Sequence, residues 1–336
     1  MISYSKLIFL ITKKSYVFYL LLSILVIIFI SAIEYIHPAE DAVILFEYSK
    51  TLYENAIISY GNCSFPIEGA TDFLYMLVIA IFRFVGIDYF TSAIILNLFG
   101  LFLIIFNFPK ELKLPVLAIL LASTYMYSSV LGFSTMLFTG VFITTFRAFE
   151  TENKYTFLYA LTLCLIRPDG VIHVLGLVLW RLFRRIEIQI WIQFVLQLFI
   201  PGTLYFLWRW NYFGEFLPLP FYVKSGYDRD LLIFYLESIK TVFNTIFPFI
   251  IIGFSTLKPD KSQRKYLLIM VPIIIFYSCM ALDQNIGNRF LSPLFFGTLF
   301  IGSQMMNTKI FVRVTILTLL FTIRGAGGMI MNVKAM

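Results

Sequence analysis

The chain has 336 residues, of which 60% are apolar and only 13% charged, with a mean hydropathy of +0.87 and a formal net charge of +7. A soluble domain carries about 25% charged residues, so this composition excludes a water-soluble domain, a disordered segment and a nucleic-acid module. The 26 Lys and Arg are spread between apolar runs, as in a multi-span membrane protein, and three cysteines supply no disulfide framework.

The first apolar helix runs from Val17 to Ile36, preceded by Lys13 and Lys14. Its length and the lack of a small-residue cleavage site favour a retained anchor, and the lysines place the N-terminus in the cytoplasm. Residues 37–90 follow as the most polar stretch and are expected outside. Within them, Thr71–Ile87 is an apolar helix only about 25 Å long that carries Arg83. It is read as lying in the membrane interface. The rival reading, a short true span, would invert everything downstream.

With the interfacial reading, further spans fall at 90–108, 115–131, 135–148, 155–168, 171–183, 188–207, 231–255, 266–282, 291–307 and 311–324, about eleven in all. Basic residues then concentrate inside, in short loops such as PKELK at 109–113 and RLFRR at 181–185. Most acidic residues face out. The expected fold is an all-α, polytopic integral membrane helical bundle, one transmembrane domain over 1–336. Its first outer loop, 37–90, carries juxtamembrane helices, and no separate soluble domain is visible.

Charge beside a membrane span is costly, so each such residue needs a partner or a task. Four constellations stand out on the predicted outer side. Glu40–Asp41 opens the first outer loop; paired carboxylates suit a general base or a metal ligand, and equally suit the first turn of a helix. Arg167 and Asp169 sit in IRPDG at 166–170, where arginine suits a phosphate and an Arg–Asp pair also anchors a helix end. YFGEFLPLPFYVKSG at 212–226 is aromatic, holds two prolines and Tyr222, and offers Lys224 as a point charge for phosphate. DQNIGNRF at 283–290 offers Arg289, with Asp283 as a local partner. No phosphate-cradling glycine loop, nucleophile elbow or HExxH is present. His37 and His173 are the only histidines and lie far apart, which makes a histidine-built zinc site improbable.

Five segments in this order resemble the polytopic type C glycosyltransferases that use polyprenyl-phosphate sugars, nearest to the bacterial arabinofuranosyltransferase-like branch. They are EDAVILFEYSKTL, PIEGATDFLYMLVIAIFRFVG, LIRPDG, YFGEFLPLPFYVKSG and GNRFLSPLF. The likeness is interspersed over residues 35–295. It implies a lipid-linked donor, a sugar on a polyprenyl monophosphate, and a glycan or glycolipid acceptor at the outer face of a bacterial inner membrane. The first acidic position, here Glu40, is the family's base, although Asp is usual there; Asp41 matches the second acidic position. Arg289, Lys224 and Arg167 are implied phosphate ligands. Glu68 and Tyr222 are implied sugar or acceptor contacts, and Asp169 is expected to contact sugar or orient Arg167. Relatives often carry an acidic residue in a G-x-E-T stretch, where this chain reads GFSTM with Ser134. No cofactor is required by these motifs, and a divalent cation is the one candidate. Membrane lipid is an expected partner and nucleic acid is not. The competing reading is a lipid-linked sugar flippase or transporter, or a catalytically lapsed protein of the same fold. A transporter places ionisable residues near the bilayer midplane and often has two related halves. Here the informative residues gather at one face.

Overall fold

A computed structural model describes residues 4–61, 65–184, 187–219, 231–256, 264–280, 282, 285–305 and 311. Among the described residues every regular element is helical, with no strand. Three helices are long and apolar enough to cross a membrane: Tyr16–Tyr35, Tyr89–Asn107 and Ile188–Phe213. A fourth candidate is the pair Lys110–Ala122 and Thr124–Val130, bent by 67° at its break. Shorter apolar helices include Phe73–Phe84, Thr156–Ile166 and Ile269–Ser278.

Helix α1 (Tyr4–Tyr35) leads through His37–Pro38 to α2 (Glu40–Asn55). Glu40 and Asp41 fill the first turn of α2, where the helix dipole favours negative charge. The apolar helix expected over 71–87 is α3 (Phe73–Phe84). Helix α4 (Tyr89–Asn107) starts at Asp88, whose carboxylate accepts from the Thr91 amide at 2.9 Å. It is followed by α5 (Lys113–Ala122), α6 (Thr124–Val130), α7 (Thr135–Glu150), α8 (Thr156–Ile166), α9 (Gly170–Arg184), α10 (Ile188–Phe194), α11 (Ile200–Phe213), α12 (Leu231–Thr256), α13 (Arg264–Ser278) and α14 (Ser292–Met305).

Half of the apolar window of α4 is buried inside the protein, against 6% for Ile188–Phe213, so α4 belongs to the core and Ile188–Phe213 to its periphery. The tightest helix crossing is α4 against α7. It passes through Gly100 and Gly140: a methyl group on Gly140 would fall on the Gly100 carbonyl, with the carbonyl carbon 2.8 Å away. Only hydrogen fits there. Around this crossing Phe138, Phe142, Phe146 and Phe149 of α7 are buried with Phe296 and Phe300 of a later helix, α14 (Ser292–Met305).

Asn97, in mid-α4, organises the turn that enters α7. Its Nδ2 donates to the Phe133 carbonyl at 2.7 Å and to the Ala93 carbonyl at 3.0 Å, and its Oδ1 accepts from the Met136 amide at 3.0 Å. One buried amide therefore ties two helices to the 133–136 turn. Between α13 (Arg264–Ser278) and α14, residues Ile286–Leu291 form a tight helical turn. Gly287 and Asn288 there adopt left-handed backbone, φ 62° and 56°. Gly287 also abuts α6, where a Cβ would come 2.9 Å from the Thr124 carbonyl oxygen. Glycine permits both the backbone and the approach, and the turn presents Arg289 inward.

Candidate functional site

The charged residues singled out in the sequence lie at helix ends, and several meet. Arg289 Nη2 donates to Asp41 Oδ2 at 2.9 Å, across 248 residues of sequence. The local pairing of Arg289 with Asp283 falls outside the described residues, as do Tyr222 and Lys224. Arg289 is 8% exposed, whereas the Asp41 side chain is half open. Glu40 is exposed, one residue outward on the same turn.

Arg167 and Asp169 are a bidentate pair. Arg167 Nε and Nη2 donate to the two carboxylate oxygens at 2.9 and 2.8 Å. Tyr277 of α13 donates its hydroxyl to Asp169 Oδ2 at 2.8 Å, and His173 Nδ1 lies 2.9 Å from the Asp169 carbonyl. Asp169 therefore has both oxygens committed and serves to orient Arg167.

Phe290 joins the two arginines. Its ring centroid lies 4.9 Å from the guanidinium carbon of Arg167 and 4.9 Å from that of Arg289. Arg167 also faces Phe138 at 4.9 Å, and Arg289 faces Phe133 at 3.8 Å. Aromatic faces hold a guanidinium without consuming its hydrogen-bond donors. Two buried cations with donors to spare make a site for a polyanion.

Asp72 completes the cluster. It stands at the start of α3, and Ser134, at the start of α7, donates its hydroxyl to Asp72 Oδ2 at 2.5 Å. Burial pushes the Asp72 carboxyl above the usual range; Arg167, the Ser134 hydrogen bond and Arg289 oppose this without cancelling it, and Asp169 adds to it. Asp169 goes the other way: burial raises it, but Arg167, His173 and Tyr277 together hold it below the usual range. The Arg289 guanidinium is drawn down by burial, against the pull of Asp41.

Glu68 lies in a separate anchor. Arg209, at the end of Ile200–Phe213, donates Nε to Glu68 Oε1 at 2.7 Å and Nη2 to Glu68 Oε2. The same guanidinium donates to the Phe216 carbonyl at 2.9 Å, and the Leu219 amide donates to the Glu68 carbonyl at 3.1 Å. Burial raises Glu68 as well, against its bond to Arg209. This anchor straps the 56–72 loop onto the segment that continues towards Tyr222 and Lys224.

Sequence reasoning did not single out Asp72, Arg209, Asn97 or Tyr277. Arg209 and Asn97 carried a usable signal, since each is polar at or within an apolar run. Asp72 carried none, being one of nine charged residues in the most polar stretch. Ser134 was marked only as a missing acid, yet it touches one.

Among the described residues no three of His, Cys, Asp and Glu are grouped as metal ligands. Asp41 and Asp169 are paired with arginines, so the donor set fits guanidinium pairing better than a divalent cation. No protein-family model, no curated protein and no solved structure matches this chain. The site's chemistry is two buried arginines, each paired with an aspartate and each with donors to spare, beside a carboxylate held above its usual range.

Proposed function

We propose that this chain is a membrane glycosyltransferase that moves a sugar from a polyprenyl phosphate to a hydroxyl of a cell-envelope glycan or glycolipid. The observation that carries the reading is the pair of buried arginines flanking Phe290, with Asp41, Asp72 and Asp169 around them. The five motifs of the sequence supply the reaction class. In this reading the chain lies in a bacterial inner membrane in an eleven-span layout, with the site at the outer face. Its long apolar helices support residence in a membrane, and the layout and sidedness rest on the loop charges of the sequence.

In this reading the prenyl chain stays in lipid and its phosphate enters the arginine cradle. Arg289, Arg167 and Lys224 hold the phosphate, whose charge grows from one to two as the sugar departs. Fixed cations favour that developing charge because they need no reorganisation as it forms. Asp169 keeps Arg167 in position. Glu68 fixes the loop next to the sugar, and Tyr222 offers a further sugar or acceptor contact. The acceptor hydroxyl loses its proton to a carboxylate of the first outer loop, which holds Glu40, Asp41 and Asp72. A single base with attack opposite the phosphate predicts inversion at the anomeric carbon.

The test is release of polyprenyl phosphate by the purified protein in proteoliposomes, from a panel of polyprenyl-phosphate monosaccharides with a crude glycan acceptor. Sugar-dependent release, lost on Arg289→Ala, is the expected result. Release from no donor, by protein that still binds polyprenyl phosphate, would overturn the reading in favour of a flippase.

A further inference from the structure

Among the carboxylates near the two arginines, Asp72 is the one whose geometry breaks a local rule. An aspartate at a helix N-cap ordinarily accepts a backbone amide of its own first turn, a contact worth about 1 kcal/mol. Asp72 occupies the N-cap of α3 and makes no such bond. Its carboxylate turns instead to Ser134, 62 residues further on. Departures from local rules are expected at functional or strained sites.

The other acids are already engaged. Asp41 is bound to Arg289, Asp169 is held on both oxygens by Arg167, and Glu68 on both by Arg209. Among the described residues Asp72 has no ion pair in contact; Ser134 donates to Oδ2, and the Thr71 hydroxyl donates a long bond of 3.4 Å to Oδ1. Oδ1 is thus open to a further donor, and the residue keeps partial exposure.

We propose that Asp72 is the general base of the transfer, with Ser134 as its positioning residue. This rests on the glycosyltransferase reading and goes against the sequence expectation of Glu40 or Asp41. In-line displacement puts the leaving phosphate and the attacking hydroxyl on opposite faces of the anomeric carbon. Asp41 is bonded to Arg289, so it sits on the phosphate side and competes with the phosphate for the same guanidinium. Glu40 is exposed and makes no contact with either arginine among the described residues. Asp72 is near enough to Arg167 and Arg289 to feel both charges and is bonded to neither.

The proton of the acceptor hydroxyl passes to Asp72 Oδ1. The freed oxygen pair forms the bond to the anomeric carbon. The bond from that carbon to the phosphate oxygen breaks, its electron pair leaving with the phosphate as the polyprenyl phosphate dianion. Asp72 then returns the proton to water. Burial keeps this carboxylate more basic than an exposed one, and Arg167, Asp169, Arg289, Tyr75, Ser134 and Thr71 are the groups that face it. Ser134 is held by the turn that Asn97 fixes, so its hydroxyl aims Oδ2, and Oδ1, which takes only the long bond from Thr71, keeps a lone pair for the substrate.

The experiment measures kcat, the pH profile of kcat/KM, and the affinity for polyprenyl phosphate in reconstituted protein. Asp72→Asn should lower kcat by about 100-fold or more and leave polyprenyl phosphate affinity unchanged. Ser134→Ala should lower kcat less and move the acidic limb of the profile to higher pH, because a bond that favours the charged carboxylate is lost. Asp72→Ser combined with Ser134→Asp moves the carboxylate across the hydrogen bond and should recover activity relative to Asp72→Ser alone. Asp72→Asn with unaltered kcat and pH profile would overturn the assignment while the transferase reading stands. Loss of polyprenyl phosphate affinity together with kcat would make Asp72 structural and overturn it as well. Absence of transfer by the unaltered protein would remove the reading beneath it.

Discussion

Arg289→Ala removes one guanidinium that serves the free protein and, in the proposed function, the donor phosphate. In the free protein Arg289 donates to Asp41 at 2.9 Å and stacks 3.8 Å from Phe133 and 4.9 Å from Phe290. The Asp41 side chain is 49% exposed, so the pair is screened and contributes about 1 kcal/mol. The ring contacts add about 1–2 kcal/mol, for a stability loss of about 2–3 kcal/mol. In the proposed function a bound phosphate depends on the same group more heavily. Truncating one partner of a buried, hydrogen-bonded charge pair costs about 2–5 kcal/mol, which is about 30-fold to several thousand-fold in Kd. Calorimetric titration of polyprenyl phosphate into nanodisc-embedded protein reads this directly. Arg289→Lys should fall between, because it keeps the charge and loses the planar fork. Asp41→Asn should tighten binding, because it removes the anion that occupies Arg289 before the phosphate arrives. Unchanged Kd in folded Arg289→Ala protein, or weaker binding in Asp41→Asn, would refute the cradle.

Four further outcomes follow from the packing and charges. Gly140→Ala drives a methyl group into the Gly100 backbone, which cannot yield as a side chain could; overpacking should cost about 1–3 kcal/mol or more, read as a lower unfolding temperature in detergent. Asn97→Leu strands the Phe133 carbonyl and the Met136 amide, at about 1–3 kcal/mol per buried group, and denaturant titration should show the loss together with impaired transfer. Glu68→Ala leaves the Arg209 charge buried with only carbonyls for partners, so about 3–5 kcal/mol should be lost; thermal stability equal to that of the unaltered protein would contradict the anchor. Asp72 carries a folded-state carboxyl above its ordinary value, so its contribution to stability is full below the unfolded value and lost as pH rises through the folded one. Asp72→Asn removes that loss. Its unfolding temperature should therefore exceed that of the unaltered protein at about pH 8, with the excess shrinking towards about pH 3.5; an excess independent of pH would contradict the assignment.

The helical membrane character was legible because hydropathy and loop charge are sums over many residues. The span layout was harder, since apolar runs such as Phe73–Phe84 and Thr156–Ile166 are too short for length to decide whether they cross. Arg167, Asp169, Arg289 and Asp41 were legible because charge beside an apolar run demands a partner. For Arg167 and Asp169 the partner was legible as well, since the two pair with each other. For Arg289 it was not: it takes Asp41, 248 positions away, and local spacing pointed to Asp283. Asp72 was hidden because an acid in a polar loop carries no cost until folding buries it. Ser134 was hidden for the converse reason, since a serine beside an apolar helix is ordinary until a carboxylate meets it. Asn97 shows a third case, where a single polar residue in an apolar helix signals a network without naming its members.

Transfer of sugar from a polyprenyl phosphate is measured by following radiolabelled sugar from such donors into glycan, in membranes that contain the unaltered protein or its Asp72→Asn, Asp41→Asn or Glu40→Gln variants. Label should enter the glycan with the unaltered protein, be lost with Asp72→Asn, and be retained with Glu40→Gln. Label in no glycan from any donor, with protein inserted and still binding polyprenyl phosphate, would contradict the proposed function.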